Sequence, residues 1–193
     1  MKNQSIENKS QKYPYEDYFD RLLYPSIEYI SDTIYNFKIT PNMITFLGLI
    51  IGLLSAYYLY EKQIIISLVL WIVCYYLDLL DGYIARKYDQ GSTVGGWFDH
   101  ISDIIKFIAI GIVLYKHKQY YVILILIIVF IITLFNTSCK TKYLDRDKKK
   151  TDSFYLLKHI CPDKNYVKFT HYFGEGIGAL LYVIIIIVFY YDK

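Results

Sequence analysis

"DLLDGYIARKYDQGSTVGGWFDHISD", residues Asp78–Asp103, decides how this chain reads. It overlaps the ends of two strongly apolar stretches, yet it carries Asp78, Asp81, Asp89, Asp99 and Asp103. Unpaired charge at the end of an apolar helix is costly, so carboxylates kept there call for a reason. Asp78 and Asp81 are spaced i, i+3 and share one helix face; Asp99 and Asp103, at i, i+4, share another. A short loop containing Gly91, Gly95 and Gly96 joins the two segments. Antiparallel neighbours on so short a loop are expected to pack side by side and bring all four carboxylates to one point. Four such charges repel unless cations lie between them. Oxygen-only donors select hard divalent ions such as magnesium or manganese. Two ions would cancel four charges, and paired metals suit displacement at phosphorus.

The residues between the aspartates fit that chemistry. Gly82, Ala85 and Gly95 have little or no side chain, so a phosphate or a planar ligand could approach the backbone. Arg86 offers a fork suited to phosphate. Singly, each aspartate also reads as a solvated helix end, and Asp81 could pair with Arg86. The convergence of all four with the glycines and the arginine favours a site.

Working outward, the chain is 55% hydrophobic, gathered in long blocks, which points to a membrane protein rather than a large soluble core. A net charge of +3 gives no broad basic field, so nucleic acid is not an expected partner. Cys74, Cys139 and Cys161 are too scattered to suggest a disulfide framework or a CxxC metal pair. Cys74, inside an apolar run, is expected to be a buried free thiol. No signal peptide is expected ahead of the first apolar block near Met43.

Three regions are expected. Residues 1–14 are polar and read as a disordered N-terminus. Residues 15–39 hold Phe19, Leu22, Leu23, Ile27, Ile30, Ile34 and Phe37 at spacings of three and four, an amphipathic helix suited to the membrane interface. Thr40-Pro41 ends it and starts the next helix. Residues 40–193 then form the membrane domain. Its apolar segments lie at about 43–60, 64–81, 94–115, 119–136 and 173–191, each near the ~20 residues that span a bilayer. The fold class is an all-α integral membrane bundle of about five helices.

The signature Asp78-x2-Asp81-Gly82-x2-Ala85-Arg86-x8-Gly95-x3-Asp99-x3-Asp103 resembles that of the CDP-alcohol phosphotransferase family at every fixed position. The resemblance implies an enzyme of phospholipid biosynthesis that displaces CMP from a CDP-alcohol with a hydroxyl acceptor. It implies metal ligation by Asp78, Asp81 and Asp99, with Asp103 as ligand, general base or both. Gly82, Ala85, Arg86 and Gly95 would line the CDP site, and a homodimer is the implied assembly. "TPNMITFLGL" (Thr40–Leu49) and "FDHISD" (Phe98–Asp103) are similar to the choline/ethanolamine phosphotransferase branch. By that likeness Asn42 and Thr45 would lie beside the nucleotide, though helix-start chemistry explains them as well. His100 becomes a second candidate base. "FGEGIGALL" (Phe173–Leu181) is similar to a later helix start and makes Glu175 a minor candidate. The family core has six membrane helices and this sequence shows five. Either the core is minimal, or the polar 152–170 stretch hides a re-entrant piece, or the chain is a degenerate paralogue, against which the complete signature argues.

The branch resemblance favours CDP-choline or CDP-ethanolamine as donor and diacylglycerol as acceptor. The alternative is a CDP-diacylglycerol donor with inositol, serine or glycerol phosphate. An anionic acceptor would call for extra cations, and Lys106, one turn beyond Asp103, reads better as an offset for the aspartates. Outside the enzymes, a cation transporter would place its carboxylates near mid-membrane, and an inactive scaffold would bind metal without turnover. An aspartate-rich prenyltransferase would need a second such motif, which is absent.

Of the 21 lysines and arginines, 16 fall on the side of the N-terminus, the 82–93 loop and the 138–170 loop; 4 fall on the other, and Lys106 lies within a segment. The positive-inside bias therefore predicts a multi-pass protein whose acidic stretch faces the cytoplasm. Single cysteines introduced in the 138–150 loop should react with an impermeant thiol reagent from the cytoplasmic side. Labelling from the opposite side alone would refute the orientation and the five-segment count.

Overall fold

The computed structural model describes residues 18–143, 160–163, 165–166 and 175–191. They form six helices: α1 (Tyr18–Asn36), α2 (Pro41–Tyr60), α3 (Ile64–Lys87), α4 (Thr93–Lys116), α5 (Tyr120–Tyr143) and α6 (Glu175–Tyr191). The expected all-α bundle is thus present, with one amphipathic helix ahead of five apolar ones. The 1–14 segment, and most of the 152–170 stretch with any re-entrant piece, lie outside the described residues. Among the described residues, three helices are long and apolar enough to cross a membrane: Pro41–Tyr60, Ile64–Lys87 and the Tyr120–Cys139 part of α5. In α4 the first half is polar, because Asp99, His100, Asp103 and Lys106 fall there.

Each tight connection is made by a residue with positive φ: Lys38, Lys62, Asp89 and Lys118, at 54–59°. Pro41 occupies the first turn of α2, as expected from its fixed φ. Ser92 caps α4, its Oγ accepting from the Gly95 backbone N–H at 3.0 Å.

The packing differs from the sequence expectation at one point. The aspartate-bearing helices α3 and α4 do not pack side by side; both pack chiefly on α2. The reason is the α2 surface. Gly48, Gly52 and Ala56 recur every four residues, joined by Ser55, and small residues let helices approach closely where no hydrophobic force drives them together. Ser55 Oγ donates to the Ser67 carbonyl at 2.8 Å, and the Cys74 thiol lies 3.3 Å from the Gly48 carbonyl. A Cβ at Gly52 would stand 2.6 Å from Lys106 Cδ, so the lysine stem crosses α2 only because that position is glycine.

The apolar stripe of α1 packs on protein. Ile27 is fully buried against Leu79, Leu80 and Ile84 of α3, while Leu22 and Phe37 remain exposed. Polar contacts fasten the same pair of helices. Lys87 Nζ reaches Asp32 Oδ1 at 2.6 Å and Ser31 Oγ at 2.9 Å, and the Tyr88 hydroxyl also donates to Asp32. The hydrogen bond from Lys87, with that from Tyr88, holds the Asp32 carboxyl below its ordinary range.

Two buried clusters result. One, under α1, joins Ile27 and Ile44 to the end of α3; the other gathers Leu59, Leu68, Ile110, Leu114, Leu126 and Ile186 deeper in the bundle. Exposed Ile65, Ile72, Ile108, Ile112, Leu124 and Ile131 form the outer apolar surface.

The cysteine expectation needs a correction. Cys74 is free and buried, as expected. Cys139 and Cys161, however, are joined by a disulfide with Cα atoms 5.1 Å apart. The chain after α5 folds back, so residues 22 apart in sequence become neighbours, which spacing alone does not reveal. Lys142 Nζ fastens the same return by donating to the Cys161 carbonyl at 2.5 Å.

Gly52→Leu should push Lys106 off its path and destabilise the bundle by roughly 1–3 kcal/mol, the usual cost of overpacking. A thermal melt in detergent checks it. An unchanged melting temperature would show that α2 and α4 can separate freely.

Candidate active site

Because α2 holds α3 and α4 apart, a cavity of about 470 Å³ opens between them and the later helices. α3 delivers Asp78, Asp81, Gly82 and Arg86 to its wall, and α4 delivers Asp99, His100, Asp103 and Lys106. Asp78, Asp99 and Asp103 each present a carboxylate oxygen, all within 4.8 Å of one another. The donor set is oxygen alone and anionic, which fits a hard divalent cation.

Lys106 lies among these carboxylates. Its Nζ is 2.6 Å from Asp103 Oδ1 and 3.6 Å from Asp78 Oδ1, and its side chain is buried. The sequence expectation that it offsets the aspartates is met. Three carboxylates and one ammonium leave two negative charges, the charge one divalent ion cancels.

Asp81 stands apart from the trio. It is buried, and Thr45 Oγ1 donates to its Oδ2 at 2.6 Å. Thr45, expected beside the nucleotide, therefore orients a carboxylate of the site. Asp81 is held by this hydroxyl rather than by Arg86, and it still lines the cavity.

The remaining expected residues divide. Gly82 and Arg86 line the cavity, and a Cβ at Gly82 would meet Arg86 Nη1 at 3.2 Å. Asn42, Thr45, Ala85 and Gly95 are not part of the cavity wall. Asn42 and Gly95 meet each other instead, where α2 and α4 begin. A Cβ at Gly95 would come within 2.8 Å of Asn42 Oδ1. This is a second small-residue contact that draws two helix starts together beside the aspartates. The Glu175 side chain lies outside the described residues.

Sequence reasoning missed Asp20 and Tyr75. The Tyr75 hydroxyl donates to Asp20, and both line the cavity with Tyr24. α1 is thus part of the site wall. The signal was present: Asp20 precedes Leu23, Tyr24 and Ile27 at i+3, i+4 and i+7, so it shares their apolar face.

The class this defines is a helical membrane bundle with carboxylates clustered on the wall of an internal cavity. The sequence model of the family described as CDP-alcohol phosphatidyltransferase matches residues 38–190, and the chain belongs to that family. It is 36% identical over 77 residues to the archaetidylinositol phosphate synthase of Pyrococcus horikoshii, covering 40% of this chain and 41% of that protein. It is 35% identical over 63 residues to the CDP-diacylglycerol--glycerol-3-phosphate 3-phosphatidyltransferase of Aquifex aeolicus, covering 33% and 35%. An uncharacterized protein of Aquifex aeolicus is 27% identical over 99 residues, covering 49% and 48%. The chain spans less than half the length of these curated relatives. No solved structure matches it.

Asp99→Asn should remove one of the three clustered oxygens and most of the metal affinity. Asp103→Asn should lower turnover ~10²-fold or more if Asp103 takes the acceptor proton. Titration with Mn²⁺ monitored by paramagnetic resonance, alongside CMP release, reads both. Wild-type behaviour of both variants would make the cluster structural.

Proposed function

We propose that this chain transfers a phosphatidyl group from a CDP-lipid to a small hydroxyl-bearing acceptor and releases CMP. The Asp78–Asp99–Asp103 cluster carries this reading, since it opens into a cavity that runs on between apolar walls. Water-soluble substrates have no use for such walls; a lipid does. The names of two relatives support the same choice, one specifying a CDP-diacylglycerol donor and the other an archaetidylinositol phosphate product.

Asp78, Asp99 and Asp103 would hold a magnesium or manganese ion, with Asp81 the further oxygen donor for a second. Such ions, when bound, supply the positive charge that a diphosphate needs. Arg86, at the end of α3, would grip a phosphate oxygen. The acceptor hydroxyl oxygen attacks the lipid-bearing phosphorus. A new oxygen–phosphorus bond forms as the bond to the bridging oxygen breaks, and CMP leaves with that oxygen and its electron pair. The hydroxyl proton passes to Asp103, which Lys106 holds in place; His100, one turn earlier on the same face of α4 and also lining the cavity, is the alternative acceptor. Gly82 would frame the nucleotide end, while Thr45 acts through Asp81, and Asn42 with Gly95 through the join of two helix starts. The site faces the cytoplasm, where nucleotide-activated substrates are made.

One observation favours a second reading. "TPNMIT" and "FDHISD" resemble the aminoalcohol branch, which would make diacylglycerol the acceptor and CDP-choline or CDP-ethanolamine the donor. Lys106 is engaged with Asp78 and Asp103, so an anionic acceptor would rely on Arg86 and on the 138–170 stretch. Lys148, Lys149 and Lys150 in that stretch lie outside the described residues.

Purified protein in liposomes should release CMP from CDP-diacylglycerol when given inositol phosphate or glycerol phosphate. Excess chelator should abolish release and Mg²⁺ or Mn²⁺ restore it. Release from CDP-choline or CDP-ethanolamine with diacylglycerol alone would reverse donor and acceptor. Full activity in chelator would end the metal assignment.

A further inference from the structure

The cavity does not stop at the carboxylates. It continues inward past Phe107, Ile110, Leu126 and Phe130 to Trp71 and Tyr182. Trp71 precedes Asp78 on α3 by two helical turns, roughly 10 Å. At that depth the Trp71 and Tyr182 rings lie 4.4 Å apart, tilted by 34°. Tyr182 is only 4% exposed. Its hydroxyl and the Trp71 indole Nε1–H are both buried with no hydrogen-bond partner among the described residues. Buried tyrosines and tryptophans ordinarily find a partner, and two orphaned donors ending one cavity are unusual.

We propose that Trp71 and Tyr182 form a subsite that donates hydrogen bonds to an acyl-ester carbonyl of the glycerolipid held at the carboxylates. Three observations meet here. The walls between the two ends are apolar and suit a hydrocarbon or glycerol ester rather than a sugar. Both unpartnered donors belong to side chains that line the inner end, and an indole N–H can only donate. The ester carbonyls of a glycerolipid lie a few bonds beyond its phosphorus, so they reach this depth when the phosphate is at the aspartates. An ether-linked lipid has the same shape but no carbonyl to accept these bonds. The subsite therefore selects ester over ether lipid. It rests on the transferase assignment above, and it holds whether the glycerolipid is donor or acceptor.

The test compares a diester lipid with its diether analogue of equal chain length, in liposomes, by CMP release. CDP-diacylglycerol against CDP-dialkylglycerol reads the donor arm; diacylglycerol against dialkylglycerol, with CDP-ethanolamine, reads the acceptor arm. The wild type should favour the ester by tenfold or more in kcat/KM, about the worth of one or two neutral hydrogen bonds. Tyr182→Phe keeps the ring and removes only the hydroxyl; it should cut the ester-to-ether ratio by about tenfold. Trp71→Phe should cut it too. The melting temperature of unliganded Tyr182→Phe should be no lower than that of wild type, because the hydroxyl has no hydrogen-bond partner among the described residues.

Equal use of ester and ether by an active wild type would overturn the subsite and leave the transferase assignment standing. So would a Tyr182→Phe protein whose ratio is unchanged, as when the hydroxyl meets only water. A folded Tyr182→Phe protein dead toward both lipids would assign the tyrosine to the reaction and overturn ester recognition. No CMP from wild type in any arm would overturn the transferase assignment and the subsite together.

Discussion

Mutual repulsion among Asp78, Asp99 and Asp103 is the constraint on which the other features depend. Their oxygens lie within 4.8 Å of one another. At an effective dielectric of about 20, each such pair costs roughly 3–4 kcal/mol. A bundle of ordinary stability cannot absorb three such pairs unaided. Lys106, at 2.6 Å from Asp103 and 3.6 Å from Asp78, offsets part of this from within the same helix layer. The remaining negative charge is what makes the site receptive to a divalent ion.

Lys106 can do this only because of α2. Its stem crosses that helix at Gly52, where any side chain would collide with it. The Gly48–Gly52–Ala56 row thus has two effects. It lets α2 serve as the common surface for α3 and α4, and it opens the route by which the ammonium reaches the carboxylates. With both helices resting on α2 instead of each other, the space between them is left as a cavity. Side-by-side packing of α3 and α4 would have brought the aspartates closer and left no room for a substrate.

Much of the site was legible in the sequence because it depends on local spacing. Asp78 and Asp81 at i, i+3, and Asp99 and Asp103 at i, i+4, must share faces on any helix, whatever the fold does. Lys106 was readable for the same reason, three residues after Asp103. The illegible parts all depend on partners distant in sequence. Nothing local tells that Thr45 bonds to Asp81, or that Cys161 returns to Cys139. Asp20 is an intermediate case: its place on the apolar face of α1 was visible, but not the helix that the face would meet. The disulfide and the charge bias also pull apart. The count of lysines and arginines leads one to expect the 138–170 stretch on the cytoplasmic side, where disulfides are rare. Both cysteines are fully buried and joined, a pairing that the charge count alone gave no reason to expect.

The polar and apolar parts of the cavity follow from where each helix meets the membrane surface. On α3 the sequence changes from WIVCYYL to DLLDGYIARK over a single turn, and α4 makes the reverse change from GGWFDHISD to IIKFIAIGI. The two helices run in opposite directions, so both transitions fall at the same depth. Charge and apolar wall therefore meet along one level of the cavity. A molecule with a charged phosphate at one end and hydrocarbon at the other is the natural complement to such a boundary. A purely ionic substrate would fill only the outer half, and a neutral lipid only the inner. A cavity lined from Asp99 to Tyr182 is therefore best matched by a ligand that carries both halves in one molecule.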